Sequence, residues 1–186
     1  MLLFKTWLGS CMSRLKQPQE HDDFLNYQLK RLLNLGGAPA IRLCEGSYGV
    51  ARMEWRMLAA LHEDGAMPLS ALVRRTEVDQ ARVSRATGKL VAKGLACRRP
   101  PPQGSRQLLD LTSAGNDLYD ALFPRLAAIN QRIMAVLDEH EALLLETMLQ
   151  RLTTQAREIL KQGGGVDVRT DRRLGGSRRR WPHPLP

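Results

Sequence analysis

The residues best suited to hold a ligand lie in one stretch, 78–95, which reads VDQARVSRATGKLVAKGL. Helical spacing places its donor-bearing side chains on one face. That face carries Arg82, Ser84, Arg85 and Lys89. Guanidinium groups in such positions can donate two hydrogen bonds to the edge of a guanine base or bind phosphate oxygens. We expect Arg85, at the centre of the face, to contact a base, and its basic neighbours to contact phosphates.

The opposite face of the same stretch is apolar. Val83, Ala86 and Leu90 recur at helical spacing, so they should be buried together. Asp79 is a good N-cap, because its carboxylate can accept hydrogen bonds from free amides of the first turn, and Gly94 is a typical helix end. The stretch is therefore predicted to form a helix that is buried on one side.

Gly88 and the small residues of this helix leave its polar face open to a ligand. Glycine costs about 1 kcal/mol of helix propensity relative to alanine, which is tolerable if the helix is packed and useful if a partner must approach closely. An ordinary helix with a solvated basic face would show a similar pattern, so the flanking elements must decide between the two readings.

The preceding elements predict a helix-turn-helix. A helix from about Arg52 to Glu63 carries an apolar stripe, and Ser70 is expected to cap a short helix that ends near Arg75. Only residues 76–78 connect this short helix to the next one. Two helices joined by so short a turn, the second rich in outward donors, are typical of DNA-binding proteins.

The following residues predict a β-hairpin. Short strands are expected at 96–99 and 107–112, separated by the loop sequence PPPQGS. A hairpin directly after a helix-turn-helix is the wing of a winged helix. Its exposed basic residues are Arg98, Arg99 and Arg106.

The remaining helices predict a homodimer. An amphipathic helix runs from His21 to about Leu35, where Gly36, Gly37 and Pro39 are expected to interrupt it. A long helix follows the cap Ser113 and contains Pro124, which should bend it, and a last helix spans about 139–161. Their apolar stripes exceed what the winged domain can cover, so an intertwined homodimer would bury them.

The predicted fold is therefore mainly α with a small β-hairpin wing, and the chain divides into five segments. A flexible extension (1–20) precedes a winged helix-turn-helix domain (49–115), which lies between two sets of dimerisation helices (21–48 and 116–161). A disordered basic tail (162–186) ends the chain. Met12 is an alternative start to Met1.

Residues 22–160 are similar to the multiple-antibiotic-resistance regulator (MarR) family of winged-helix repressors. The best markers are the segment EWRMLAALHEDGAMPLSALVRRTEVDQARVSRATGKLVAKGLACRR and the exit LDLTSAG, which leads into a long helix. This resemblance implies an obligate dimer that binds a pseudo-palindromic operator on double-stranded DNA. It also assigns DNA contacts to Gln80, Arg82, Ser84 and Arg85, and a minor-groove contact to Arg106. The family usually has an Asp two residues before that arginine, where this chain has Gly104, so we expect Arg106 to be less well braced.

The family often releases DNA when a small anionic aromatic molecule binds between the winged and dimerisation domains. Residues 41–56 contain side chains suited to such an effector: Arg42, Tyr48, Arg52, Trp55 and Arg56. Alternatively, Trp55 is core, and Arg52 and Arg56 pair with Glu54, with Glu63 or with the partner subunit. Cys44 suggests a redox switch if Arg42 lowers its thiol pKa, or else a buried structural cysteine.

Charge and cysteine usage argue against several classes of protein function. The formal charge is +9, but residues 161–186 contribute +5 and residues 1–20 contribute +2, so the central charges matter more than the sum. The cysteines and histidines lack metal-ligand spacing, and no catalytic constellation is recognisable, so we expect no metal, no cofactor and no enzyme.

No stretch is apolar enough to span a membrane, and a cytoplasmic location is the simplest. Non-specific nucleic-acid binding and a protein-interaction module remain alternative functions.

Overall fold

The computed structural model describes residues 13–100 and 107–163. These residues form helices and one small antiparallel sheet. The helices are α1 (Leu25–Arg42), α2 (Arg52–Asp64), α3 (Leu69–Thr76), α4 (Gln80–Ala92), α5 (Ser113–Met134) and α6 (Glu139–Lys161), and a π-helical turn (Leu43–Ser47) follows α1. The strands are β1 (Met67–Pro68), β2 (Ala96–Arg99) and β3 (Leu108–Leu111). The described residues form two compact units, which divide between Met134 and Ala135.

The core of the first unit lies under α2, α3 and α4. Met57, Leu58 and Leu61 from α2 are at most 2% exposed, and Leu72 of α3 is fully buried. The predicted apolar face of α4 is confirmed, since its three residues, Val83, Ala86 and Leu90, are all buried. Burial of a Leu- or Met-sized side chain contributes about 1.5–3 kcal/mol relative to leaving it exposed. This packing fixes which face of α4 points outward.

The sheet has the strand order β1-β3-β2 and is antiparallel throughout. β2 and β3 form the predicted hairpin, with Ala96 opposite Leu111 and Arg99 opposite Leu108. The sequence did not predict β1, because a strand of two residues that includes proline gives no alternating pattern. The hairpin tip, with Gly104 and Arg106, lies outside the described residues.

The expected interruption of the first helix is wrong. α1 continues through Gly36, Gly37 and Pro39 to Arg42. A Cβ added to Gly36 would lie 3.1 Å from Ile133 Cδ1 of α5, so the two helices approach closely at this point. Tertiary packing of this kind offsets the poor helix propensity of glycine and the backbone hydrogen bond that Pro39 cannot donate.

Two of the predicted helix caps are also wrong by one or two residues. α3 begins at Leu69, so Ser70 lies inside it, and Pro68 holds the N-cap position. α5 begins at Ser113, and its first turn is capped by Thr112, whose Oγ1 accepts a hydrogen bond from Gly115 N at 3.1 Å. A Cβ at Gly115 would lie 2.1 Å from the Leu95 carbonyl oxygen, so only glycine fits at this crossing.

The second unit contains α6, whose predicted bounds are confirmed. Asp138 Oδ1 accepts a hydrogen bond from Glu141 N at 2.8 Å, and Glu141 Oε2 accepts one from Asp138 N at 3.0 Å. This reciprocal capping box explains why the helix begins at Glu139. Among the described residues, no helix has the length and apolar character needed to cross a bilayer.

Candidate functional site

The outward face of α4 presents every polar residue that the sequence assigned to it. Asp79 caps the helix as predicted, since its Oδ1 accepts a hydrogen bond from Arg82 N at 3.0 Å. With the apolar face buried, the polar side chains must point away from the core. Gln80, Arg82, Ser84, Arg85 and Lys89 are all exposed.

The basic residues of α4 differ in how free they are to bind a ligand. Arg82 Nε lies 3.4 Å from Asp79 Oδ2, and Lys89 Nζ lies 4.0 Å from Glu54 Oε1. The Arg82 pair is exposed on both sides and is worth about 0–1 kcal/mol, and Lys89 is itself 68% exposed although Glu54 is buried, so a phosphate could displace both contacts. Arg85 makes no hydrogen bond or ion pair with any part of the chain that the structure describes. All its donors are therefore available.

The base of the hairpin lies beside α4. Arg98 and Arg99 of β2 are exposed, and Arg99 Nη1 lies 2.9 Å from Asp110 Oδ2 of β3. Arg98 lines a crevice of about 170 Å³ together with Ser84 of α4. The helix and the hairpin thus meet at one crevice, which polar and apolar side chains line together. Arg106 lies outside the described residues, so its predicted contact stays a prediction.

A buried carboxylate holds the C-terminal half of α4 in place. Glu54 of α2 is 3% exposed, and its Oε2 lies 2.5 Å from Lys93 Nζ and accepts a hydrogen bond from Ala51 N at 3.1 Å. Lys93 Nζ also donates to the Gly49 carbonyl oxygen at 2.7 Å. This pair was not predicted from the sequence, in which Glu54 was a possible partner for the α2 arginines. Its position three residues after the N-cap Ala51 was the available signal.

An apolar cavity of about 280 Å³ lies between α1, α2 and α5. Arg52 and Trp55 line it, as does Cys44, while aliphatic side chains from α1 and α5 provide most of the remaining wall. Arg52 is exposed and has no hydrogen-bond or ion-pair partner within 13–100 and 107–163. The cavity thus combines an indole ring with one available guanidinium group.

The structure does not bring the other three predicted effector residues into this cavity. Tyr48 Oη accepts a hydrogen bond from Arg125 Nη1 at 3.1 Å, which holds the ring against α5. Arg56 Nη2 donates to the Thr76 carbonyl oxygen, and its predicted partner Glu63 instead pairs with Arg75 at 3.0 Å. Arg42 is exposed at the end of α1 and outside the cavity wall. Of the five, only Arg52 and Trp55 line this cavity, while Arg56 lies beside both of them in a second crevice of about 640 Å³.

Aromatic rings stack between α2 and α5 behind the cavity. Tyr119 is stacked against Trp55, His62 and Phe123, with ring-centroid distances of 5.4, 3.8 and 5.2 Å. Burial, assisted by the negative charge of Glu63, raises the pKa of Tyr119. Trp55 therefore packs on the core with one ring face and still lines the cavity, which combines the two alternatives that the sequence left open.

Cys44 lacks the property that a redox role requires. The residue is 3% exposed, and burial, together with the charge of Glu45, raises the pKa of its thiol. The expected lowering by Arg42 is therefore wrong, because loss of hydration outweighs any distant positive charge. Among the described residues, no group of three or more His, Cys, Asp or Glu side chains could hold a metal ion.

These features define a winged helix-turn-helix protein, in which a hairpin follows a helix that presents free donors outward. Residues 48–107 match the model of the MarR family. Over this stretch, about a third of its length, the chain is similar to the MarR family.

Three known proteins illustrate the similarity. The transcriptional repressor NicR from Pseudomonas putida is 29% identical over 96 residues, which span 51% of this chain and 61% of NicR. A MarR-family regulator from Silicibacter pomeroyi is 26% identical, with a TM-score of 0.61 over 74% of this chain and 91% of that one. Bordetella bronchiseptica BpsR, whose DNA binding is regulated by 6-hydroxynicotinic acid, is 23% identical. Its TM-score is 0.66 over 73% of this chain and 97% of the BpsR chain.

Proposed function

We propose that the protein is a sequence-specific DNA-binding transcriptional repressor that recognises an inverted-repeat operator as a homodimer. The observation that carries the proposal is Arg85, exposed and unpaired among the described residues, on the outward face of a helix whose other face is buried. A helix of about 10–12 Å diameter fits the major groove, which is about 12 Å wide. The relative NicR is named a transcriptional repressor.

Within the groove the basic residues divide into two roles. Arg85 donates two hydrogen bonds to one guanine, a contact worth about 1–3 kcal/mol of discrimination against other bases. Gln80 and Ser84, which precede it on the exposed surface of α4, add polar contacts. The residues that carry internal ion pairs or lie on the hairpin bind phosphates, which orient the protein without reading sequence: Arg82, Lys89, Arg98 and Arg99.

A second copy of the chain would cover the apolar faces that the fold leaves exposed. On α1, Leu32 is 58% exposed and Leu35 is 69% exposed, while on α6 Leu143 is 55% exposed and Leu160 is 76% exposed. Exposed apolar side chains in such number along a helix mark an interaction surface. A symmetric dimer then requires inverted half-sites, with centres about 10–10.5 base pairs apart if both α4 helices enter successive major grooves.

The cavity beside α2 supports a ligand-responsive regulator. Its volume of about 280 Å³ is at the lower end of the roughly 300–1,000 Å³ usual for ligand pockets, so it fits a molecule of one ring. Trp55 offers a ring face, and Arg52 can bind a carboxylate through two parallel hydrogen bonds. We propose a small anionic aromatic effector, the chemical class to which the BpsR regulator 6-hydroxynicotinic acid belongs.

Selection of DNA fragments by the purified protein tests the DNA-binding proposal. We expect one inverted repeat to be enriched, and we expect Arg85→Ala to lose about 5- to 150-fold in affinity for it while affinity for random DNA changes little. Arg99→Ala serves as the matched control, since loss of a phosphate contact should weaken both affinities alike. Binding that depends on salt without enrichment of any sequence would instead favour non-specific nucleic-acid binding.

A further inference from the structure

We infer that Gly88 is a specificity-determining residue of the DNA interface, where its missing side chain lets α4 come close enough for Arg85 to reach a base. The inference rests on the proposed DNA-binding function. It concerns how deeply α4 enters the major groove. The contacts of Arg85 itself do not explain that depth.

The backbone conformation does not require glycine at position 88. The positive-φ glycines of the described chain are Gly49, Gly65, Gly94 and Gly163, and Gly88 is not among them. It lies inside α4 between Gln80 and Ala92, where alanine is the better helix former. Its presence weakens the helix without any gain in conformational freedom that the fold uses.

Packing within the chain does not require glycine there either. A Cβ added to Gly88 would meet no heavy atom within 4 Å among the described residues. The contrast with Gly115 is clear, since a Cβ there would collide with the Leu95 carbonyl oxygen. The space above Gly88 is therefore open in the chain by itself.

The position of Gly88 identifies what would use this space. Helical spacing places it one turn after Arg85 and Ser84, on the side of α4 opposite the buried Val83. A side chain at 88 would project between the helix and whatever Arg85 binds. Because base edges lie on the floor of the major groove, even a small projection would hold the guanidinium group back from them.

Side chains of increasing size at position 88 test this inference. We expect Gly88→Ala to raise Tm by about 2–4 °C, because helix propensity improves, and yet to lower operator affinity. Gly88→Leu should lose about 5- to 150-fold in operator affinity, the range expected when a bidentate base contact is lost, while random-DNA affinity changes little. Circular dichroism establishes that each variant is folded.

Gly37→Ala is the control for helix propensity alone. Gly37 also lies inside a helix, where an added Cβ would meet no described atom within 4 Å, and it lines the cavity beside α2. It should raise Tm to a similar extent, which separates the stability effect of an added Cβ from its effect on DNA binding. Full operator affinity of Gly88→Leu, in a protein that otherwise selects one operator, would overturn this inference alone. Failure of the unaltered protein to select any operator would overturn the proposed function and this inference with it.

Discussion

The ion pair between Glu54 and Lys93 should stabilise the fold far more than the surface ion pairs do. Lys93→Met removes the ammonium group 2.5 Å from a carboxylate whose side chain is 3% exposed. Breaking a fully buried pair costs about 3–5 kcal/mol. The Lys93 side chain is itself 38% exposed, so solvent screening reduces the expected loss to about 1–3 kcal/mol. The Ala51 amide and the more distant Lys89 would remain as partners of Glu54.

Urea unfolding followed by circular dichroism, at one fixed protein concentration, measures this loss. The pair between Lys161 and Glu158 is the matched control, because its atoms are also close, at 2.7 Å, while its side chains are 70% and 48% exposed. Lys161→Met should cost less than about 0.5 kcal/mol. Glu54→Gln combined with Lys93→Met should cost less than the sum of the single changes. Equal effects of Lys93→Met and Lys161→Met would refute the argument that burial makes the Glu54 pair strong.

Two further predictions concern the cavity. Arg52→Gln should weaken binding of an aromatic carboxylate about 10- to 150-fold, since it removes a charge-assisted hydrogen bond, whereas Arg42→Gln should not. Trp55 fluorescence, with Trp7 and Trp181 replaced by phenylalanine, reports this binding, and equal losses in both variants would place the ligand elsewhere. The raised thiol pKa predicts that Cys44 reacts slowly with iodoacetamide near neutral pH and faster only as the pH rises beyond the ordinary thiol range, because only the thiolate reacts. Rate measurements on a protein with serine at positions 11 and 97 check this, and rapid reaction at pH 7 would restore the redox hypothesis.

Local patterns in the sequence predicted α4 almost completely. The buried face of α4, its cap and its exposed donors depend on residues within one or two helical turns of each other, and helical periodicity describes such relations well. The bounds of α6 followed from the same kind of signal, a cap and an apolar stripe. Where packing between distant segments decided the outcome, as in the continuation of α1 past Pro39, the sequence pattern was misleading.

The effector residues show why the same reasoning was less successful there. Arg42, Arg52 and Arg56 are one residue type within a short segment, and periodicity alone cannot rank them. The structure distinguishes them by partners that are distant in sequence: Arg56 is bound to the Thr76 carbonyl oxygen, while Arg52 is left free beside an apolar wall from α5. The exposure of Arg85 could be predicted without a distant partner, because it depends only on the position of Arg85 on its own helix. Residue types thus predict the class of ligand, but tertiary contacts determine which arginine can bind it.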